Sequence, residues 1–292
     1  MKFIFWCLAL FAAGPPSREI IVCGWDEVYI LDMSARPPKK VWSWTAAGRT
    51  DLPEALRGKF QTTDECKPVD GGRRILISSS GGGVALVERE TGKVLFAASV
   101  GGAHSVEVLP GNRIVVASST SESPLNNRLV LYDATKSEQP LFDTELVSGH
   151  GVVWDDARQL LWTLSGKHLR TYRLVDWRTA APKLSMLDEY PLPSDGGHDL
   201  MPIPGTNLLS VTTVRDAYLF DRADRTFAPH PQLAGKSNVK SVTVHPVTGQ
   251  LVWTQADPGF WWTTTIRFLN PDETQVEEGA RRYKVRWAES PR

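Results

Sequence analysis

The chain has 292 residues, of which 41% are hydrophobic and 23% charged, and its mean hydropathy is −0.23. This balance belongs to globular proteins that bury a core and excludes a disordered chain. Lysine plus arginine and aspartate plus glutamate stand at 33 each, so the formal net charge is zero and no global field recruits nucleic acid or an anionic membrane. Eleven tryptophans, 23 glycines and 20 prolines suit an all-β protein rich in turns rather than one built on long helices.

In chain order, Lys2 precedes an apolar run over residues 3–13, then small residues and Pro15-Pro16. That pattern predicts an export signal, and the run is too short to span a bilayer. Residues 1–17 are therefore assigned to a leader and 18–292 to a single domain, exported to a secreted or periplasmic location with no membrane contact once the leader is cut. Cys23 and Cys66 then remain, in a compartment that permits disulfides. Either a bond between them or two buried thiols fits the sequence.

A repeat runs through the rest. The segment His104-Ser-Val-Glu-Val-Leu-Pro-Gly-Asn-Arg-Ile-Val-Val-Ala-Ser-Ser aligns without gaps to residues 150–165, 198–213 and 65–80, and to 240–255 with one added turn residue. Each copy reads as a strand, a tight turn of Pro, Gly, Asp or Asn, and a second apolar strand closing in Ser, Thr or Gln. Third strands follow at 84–88, 128–133, 169–174, 217–221 and 264–269. Weaker fourth strands include 93–97, 140–143 and, at the end of the chain, 283–287. Residues 20–24, 27–32 and 40–44 supply one more unit that lacks an evident innermost strand. Units of this kind bury both faces only by packing on one another in a ring, which predicts an all-β, six-bladed β-propeller of mostly four-stranded blades.

The stretch Ile20-Ile-Val-Cys-Gly-Trp-Asp-Glu-Val-Tyr-Ile-Leu-Asp and the Gly-His pairs at 149/150 and 197/198 resemble secreted bacterial propellers grouped as a family of unknown function. That resemblance implies the fold and no chemistry. The Gly-His pairs are also similar to those of WD repeats, where the histidine braces a blade. Here the histidine stands closer to the hairpin, and no Trp-Asp closes the third strand.

Innermost strands line a propeller's channel, so their first residues share one mouth. The alignment sets Glu65, His104, His150, His198 and Lys240 at that place in successive blades. Three imidazoles with a carboxylate form a ligand set for a divalent metal, manganese, zinc or iron, with His104, His150, His198 and Glu65 as ligands. The same histidines are the candidate catalytic residues, because an imidazole titrates near neutrality. In the channel histidines the chain looks similar to oligogalacturonate lyases, propellers that present histidines to a manganese ion beside a uronate; the match is of position only. The opposing reading is that each histidine braces neighbouring blades. Lys240, Arg215, His168, Trp25, Trp261 and Trp262 are the candidate substrate-binding residues, and ring closure predicts that Trp25 faces Trp261 or Trp262. Trp42, Trp44, Trp154, Trp162 and Trp253 are assigned to packing. The sequence thus supports an exported monomeric carbohydrate-active enzyme, a lyase or hydrolase on a small acidic or oxidised saccharide, or else a non-catalytic propeller that binds a glycan or protein.

Overall fold

A computed structural model describes residues 16–289; the leader assignment lies almost wholly outside them. Six four-stranded antiparallel sheets follow one another around a ring. With strands numbered in chain order, blade 1 holds β1 (Glu19–Cys23), β2 (Glu27–Asp32) and β3 (Lys39–Thr45). Blade 2 holds β4 (Thr63–Val69), β5 (Arg74–Ser79), β6 (Gly83–Glu88) and β7 (Val94–Ser99); blade 3 holds β8 (Ala103–Leu109), β9 (Arg113–Ser118), β10 (Arg128–Asp133) and β11 (Pro140–Glu145). Blade 4 holds β12 (Gly151–Asp155), β13 (Leu160–Leu164), β14 (His168–Val175) and β15 (Lys183–Pro191). Blade 5 holds β16 (Gly197–Pro202), β17 (Leu208–Thr213), β18 (Ala217–Asp221) and β19 (Thr226–Pro229), and blade 6 holds β20 (Val239–Val244), β21 (Leu251–Gln255), β22 (Thr265–Leu269) and β23 (Glu273–Val276).

The last strand, β24 (Lys284–Trp287), does not end blade 6. It pairs with β1, Ile21 opposite Arg286, and becomes the innermost strand of blade 1. The expectation that 283–287 forms an outer fourth strand is therefore corrected: β23 fills that place, and β24 supplies the strand that blade 1 lacked. Closure of the ring by the far end of the chain removes the free edges that an open stack of sheets would leave.

Strand character follows position. Strand β5 is buried along almost its whole length because blades cover both its faces, whereas outer β15 alternates between covered and exposed residues. Apolar clusters fill the junctions between blades. One joins Ile20, Val22, Val285 and Trp287 to Val252, Ile266 and Phe268 across the closure. Others pack Ile21, Cys23 and Trp44 on Cys66, Ile75 and Ile77, and Leu164 and Leu169 on Leu200 and Val211. Burying a large apolar side chain contributes roughly 1.5–3 kcal/mol, so the ring is held mainly at these seams. Trp44, Trp162 and Trp253 are buried in or beside strands, and Trp42 and Trp154 pack against the core, as packing tryptophans should. A single-turn helix, α1 (Glu54–Arg57), precedes β4 and leads to Phe60, whose ring lies so close to Gly83 that a Cβ there would meet it at 2.6 Å.

Cys23 and Cys66 are free and buried on adjacent blades. Their thiols point at backbone carbonyls, Cys23 Sγ at Lys284 O (3.7 Å) and Cys66 Sγ at Ile21 O (3.8 Å). Of the two readings the sequence left open, the structure takes the unbonded one. No helix among the described residues is long and apolar enough to cross a membrane.

Candidate functional site at the channel mouth

Each inner strand presents one edge to its blade and the other to the channel, where its N–H groups need partners from outside the sheet. Neighbouring blades provide them. Val152 N donates to Ser105 Oγ (3.4 Å), Val242 N to Asp199 Oδ2 (2.9 Å) and Val285 N to Ser241 Oγ (3.1 Å). The polar side chains of the inner strands thus knit the ring as well as lining it.

In four inner strands the ladder slips by one residue: at Asp64, His104, His198 and Lys240. A bulge of this kind turns the extra residue out of the regular alternation. The bulged residues, with His150 before β12 and Tyr283 before β24, stand around one rim. Three expected rim residues, His104, His150 and His198, do come together: the first two rings have centroids 4.5 Å apart, and the second and third 5.5 Å. Lys240 Nζ lies 2.9 Å from His198 Nε2.

Glu65 is not among them. The turn between β4 and β5 spans residues 70–73, whereas that between β8 and β9 spans only 110–112. The gapless alignment ignored this extra residue and so set Glu65 where Asp64 stands. Glu65 occupies the tier below, held by Arg286 through Nε to Oε1 (2.9 Å) and Nη2 to Oε2 (3.0 Å). The same guanidinium grips Asp199 at 2.6 Å and 3.0 Å, and Lys284 Nζ lies 3.1 Å from Asp199 and 3.6 Å from Glu65. All four are buried. Burial alone would raise the Glu65 carboxyl, but Arg286, then Lys284 and Lys67, hold it well below the usual carboxylate range, and Asp199 follows the same pattern. This cluster plugs the channel. Beneath it Lys67, which donates to Val152 O and pairs with Glu107 at 3.4 Å, faces a cavity of about 660 Å³ at the other end.

The histidine tautomers can be read from their partners. His104 Nδ1 lies 2.7 Å from Gly102 O, and His150 Nδ1 lies 3.0 Å from Ser148 O. A carbonyl only accepts, so both Nδ1 atoms carry the proton. His104 Nε2 stands 3.7 Å from Asp64 Oδ1, a carboxyl whose affinity for protons is raised by burial. Burial, reinforced by the adjoining His104 and His198, pushes His150 well below the ordinary imidazole range. His198 is pushed down to about 3 by burial and then by the Lys240 charge, and Lys240 down to about 8 by burial and then by Lys284. The mouth therefore holds two imidazoles whose charged forms are disfavoured, His150 and His198, beside His104, the Asp64 carboxyl and the Lys240 amine.

For a metal the arrangement is less apt. With Glu65 engaged by Arg286 and His198 Nε2 facing Lys240, two of the four expected ligands are occupied, and no three His, Cys, Asp or Glu side chains among the described residues are grouped so as to hold a metal ion.

Of the other substrate-binding candidates, Trp25 stacks on Trp261, with centroids 5.0 Å apart and planes 5° apart, and meets Trp262 edge-on at 6.3 Å. The Arg281 guanidinium lies 4.5 Å from the Trp25 ring, so the surface left open is mainly that of Trp261 and Phe260, which are 39% and 56% exposed. Trp261 also meets Tyr283 of the rim at 5.6 Å, which links the aromatic cluster to the mouth. His168 is turned outward to Glu189 of β15 (3.6 Å), and Arg215 is exposed in the turn before β18; neither reaches the histidines. Asp64, Asp199, Tyr283, Lys284 and Arg286 escaped the sequence reading. Four of these follow from the misplaced last strand or the extra turn residue; Asp199 was passed over beside His198.

Residues 21–290 match the model of a family of unknown function, DUF6528. No curated protein matches the chain in sequence. Among solved structures, a propeller in "Crystal structure of Nidogen/Laminin Complex" superposes with a TM-score of 0.61 at 13% identity, over 92% of this chain and 97% of that one. The superposition bears on the fold alone. Neither match carries the likeness to oligogalacturonate lyases.

Proposed function

The chain belongs to the DUF6528 family of unknown function, and we propose that it is a carbohydrate-active enzyme whose channel mouth takes a small acidic or oxidised saccharide and breaks it by elimination. The observation that carries this reading is the His104–Asp64 pair: Gly102 O fixes the imidazole so that its free Nε2 faces a buried carboxyl across 3.7 Å. A proton α to a carboxylate or carbonyl would pass to His104 Nε2, while Lys240 holds the oxygen on which negative charge develops. Hydrolysis by two carboxylates fits less well. Among the described residues, Asp64 is the one acidic side chain that the inner strands bring to the rim, since Glu65 and Asp199 are neutralised by Arg286 and Lys284 a tier below.

The test is turnover of a panel of small uronates and keto-sugars, followed by the absorbance of the conjugated alkene that elimination creates. His104→Ala is expected to lower kcat by about 10²–10⁴-fold, the usual contribution of general acid–base catalysis. A panel that binds but never turns over would favour a second reading, a glycan-binding propeller. That alternative draws on the exposed Trp261 and Phe260 and on a groove of about 680 Å³ lined by Trp25, Tyr29, Lys40, Arg281 and Arg282. The superposed chain comes from a nidogen/laminin complex and is a precedent of fold for such binding.

A further inference from the structure

Four cations stand on the inner strands: Lys67, Lys240, Lys284 and Arg286. Lys67 pairs with Glu107, and Lys284 and Arg286 pair with Glu65 and Asp199. Lys240 differs. Its partner is the His198 imidazole at 2.9 Å, and among the described residues no carboxylate forms an ion pair with it, although it is 6% exposed. A buried amine left without a counter-ion is costly as an ammonium. It is also what a nucleophilic lysine requires, because only the uncharged amine has a lone pair to give.

We propose that Lys240 forms an imine with the carbonyl carbon of an oxidised saccharide, a keto- or aldehydo-sugar. This deepens the elimination reading for carbonyl substrates, where a covalent bond from Lys240 takes the place of its charge contact to the oxygen, and rests on that reading. In the step, the Lys240 nitrogen bonds to the carbonyl carbon and the C–O bond breaks. The lysine ammonium and the carbonyl become a protonated imine and water; two N–H protons leave with the oxygen, and no oxidant or reductant is consumed. His198 Nε2, at 2.9 Å from Nζ, is placed to relay protons between the nitrogen and the departing oxygen. The protonated imine draws electrons from the adjacent carbon and so acidifies the C–H bond that a neutral imidazole of the same rim then breaks. His150 and His104 follow His198 around that rim at ring separations of 5.5 Å and 4.5 Å. The lowering of Lys240 from 10.5 to about 8 gives it about 300-fold more free amine at neutral pH than an ordinary lysine has.

The experiment is reductive trapping. The purified protein is incubated with 2-ketogluconate or glyceraldehyde and sodium cyanoborohydride at neutral pH, and the labelled lysines are located by peptide mass mapping. Calorimetric binding of 2-ketogluconate and of gluconate, its alcohol counterpart, is measured in parallel. One label at Lys240, acquired well before exposed Lys93 and Lys136 and absent from Lys240→Met, is the expected result. Lys240→Arg, which keeps the charge, is expected to bind gluconate while trapping nothing. Labelling of Lys240 no faster than of Lys93 or Lys136 overturns the imine. If both sugars nevertheless bind and Lys240→Met weakens them, only the covalent step has failed; if neither binds, the elimination reading falls with it.

Discussion

Arg286 of the last strand and Glu65 of blade 2 are joined by two hydrogen bonds, 2.9 Å and 3.0 Å long, across 221 positions of sequence. The same guanidinium holds Asp199 of blade 5. One side chain from the closing strand therefore ties blades on opposite sides of the channel. Removing one partner of a buried ion pair leaves an uncompensated charge and costs about 3–5 kcal/mol. Arg286→Met is expected to destabilise by that order in urea unfolding, and adding Glu65→Gln, which leaves Asp199 paired with Lys284 at 3.1 Å, to recover much of the loss. An unchanged urea midpoint in the single variant would show that the cluster does not hold the ring.

His104 separates catalysis from bracing. Its Nδ1 bond to Gly102 O is a single contact within its own strand entry, and its ring is partly exposed. His104→Ala is thus expected to cost about 1 kcal/mol of stability, the net worth of one hydrogen bond, while removing turnover. Asp64→Asn, which keeps the shape but cannot exchange the proton, is expected to lower kcat with little change in KM. Should His104→Ala instead unfold the protein at moderate temperature, the histidine is a brace.

How much of this was legible beforehand depends on local regularity. The hairpins of blades 2 to 6 announce themselves by apolar pairs around Pro, Gly and Asp turns, so blade number and order could be read from the chain. The imidazole trio could be read too, because His104, His150 and His198 recur in one alignment frame. Two features could not. The strand Lys284–Trp287 looks like any short alternating segment, and nothing local says that it pairs with β1. The bulge at Asp64 depends on the length of the turn at 70–73, which a gapless comparison conceals. Both errors fall on charged residues: the plug of Glu65, Lys284 and Arg286 exists only once the ring is closed.

The acid limb of stability should carry the signature of the buried imidazoles. His198 takes up a proton at about 3 in the folded protein against roughly 6.5 in an unfolded chain, and His150 is depressed in the same sense. Between these values the unfolded state binds more protons, so stability falls as pH drops from about 6.5. Glu65 and Asp199, depressed below the ordinary carboxylate range, add stability that is lost only at lower pH. Between roughly 6.5 and 4.5 the histidines drive the fall, opposed by Asp64 and Glu107, whose proton affinity burial raises. Urea midpoints are expected to decline across that range in the wild type and more shallowly in a His150→Gln, His198→Gln variant, where His230, held at about 4 by burial, still contributes. An equal slope in both would mean that these imidazoles are already charged in the native state.

The thiols offer a check on the closure seam. Burial raises Cys23 well above its ordinary value, and the thiolate is the reactive form. Neither Cys23 nor Cys66 is expected to react with an aromatic disulfide reagent in the native protein, and both should react at once in denaturant. Loss of both signals in denaturant unless a reductant is added would show a disulfide between blades 1 and 2.

Trp261 distinguishes the enzyme from the binder. It is 39% exposed, stacks on Trp25 at 5.0 Å and touches the rim through Tyr283, so its loss removes one stacked pair and one edge contact. Aromatic pairs are worth about 0.5–1.5 kcal/mol each, so with two lost Trp261→Ala should lower stability by about 1–3 kcal/mol. Its effect on a saccharide depends on where the ligand sits. If the ligand lies at the channel mouth, with the aromatic cluster at its margin, Trp261→Ala raises KM modestly and leaves kcat near wild type, while His104→Ala does the reverse. If the aromatic face is itself the site, Trp261→Ala abolishes binding measured by calorimetry and His104→Ala leaves it intact. The two variants, assayed on one ligand, give opposite orders under the two readings.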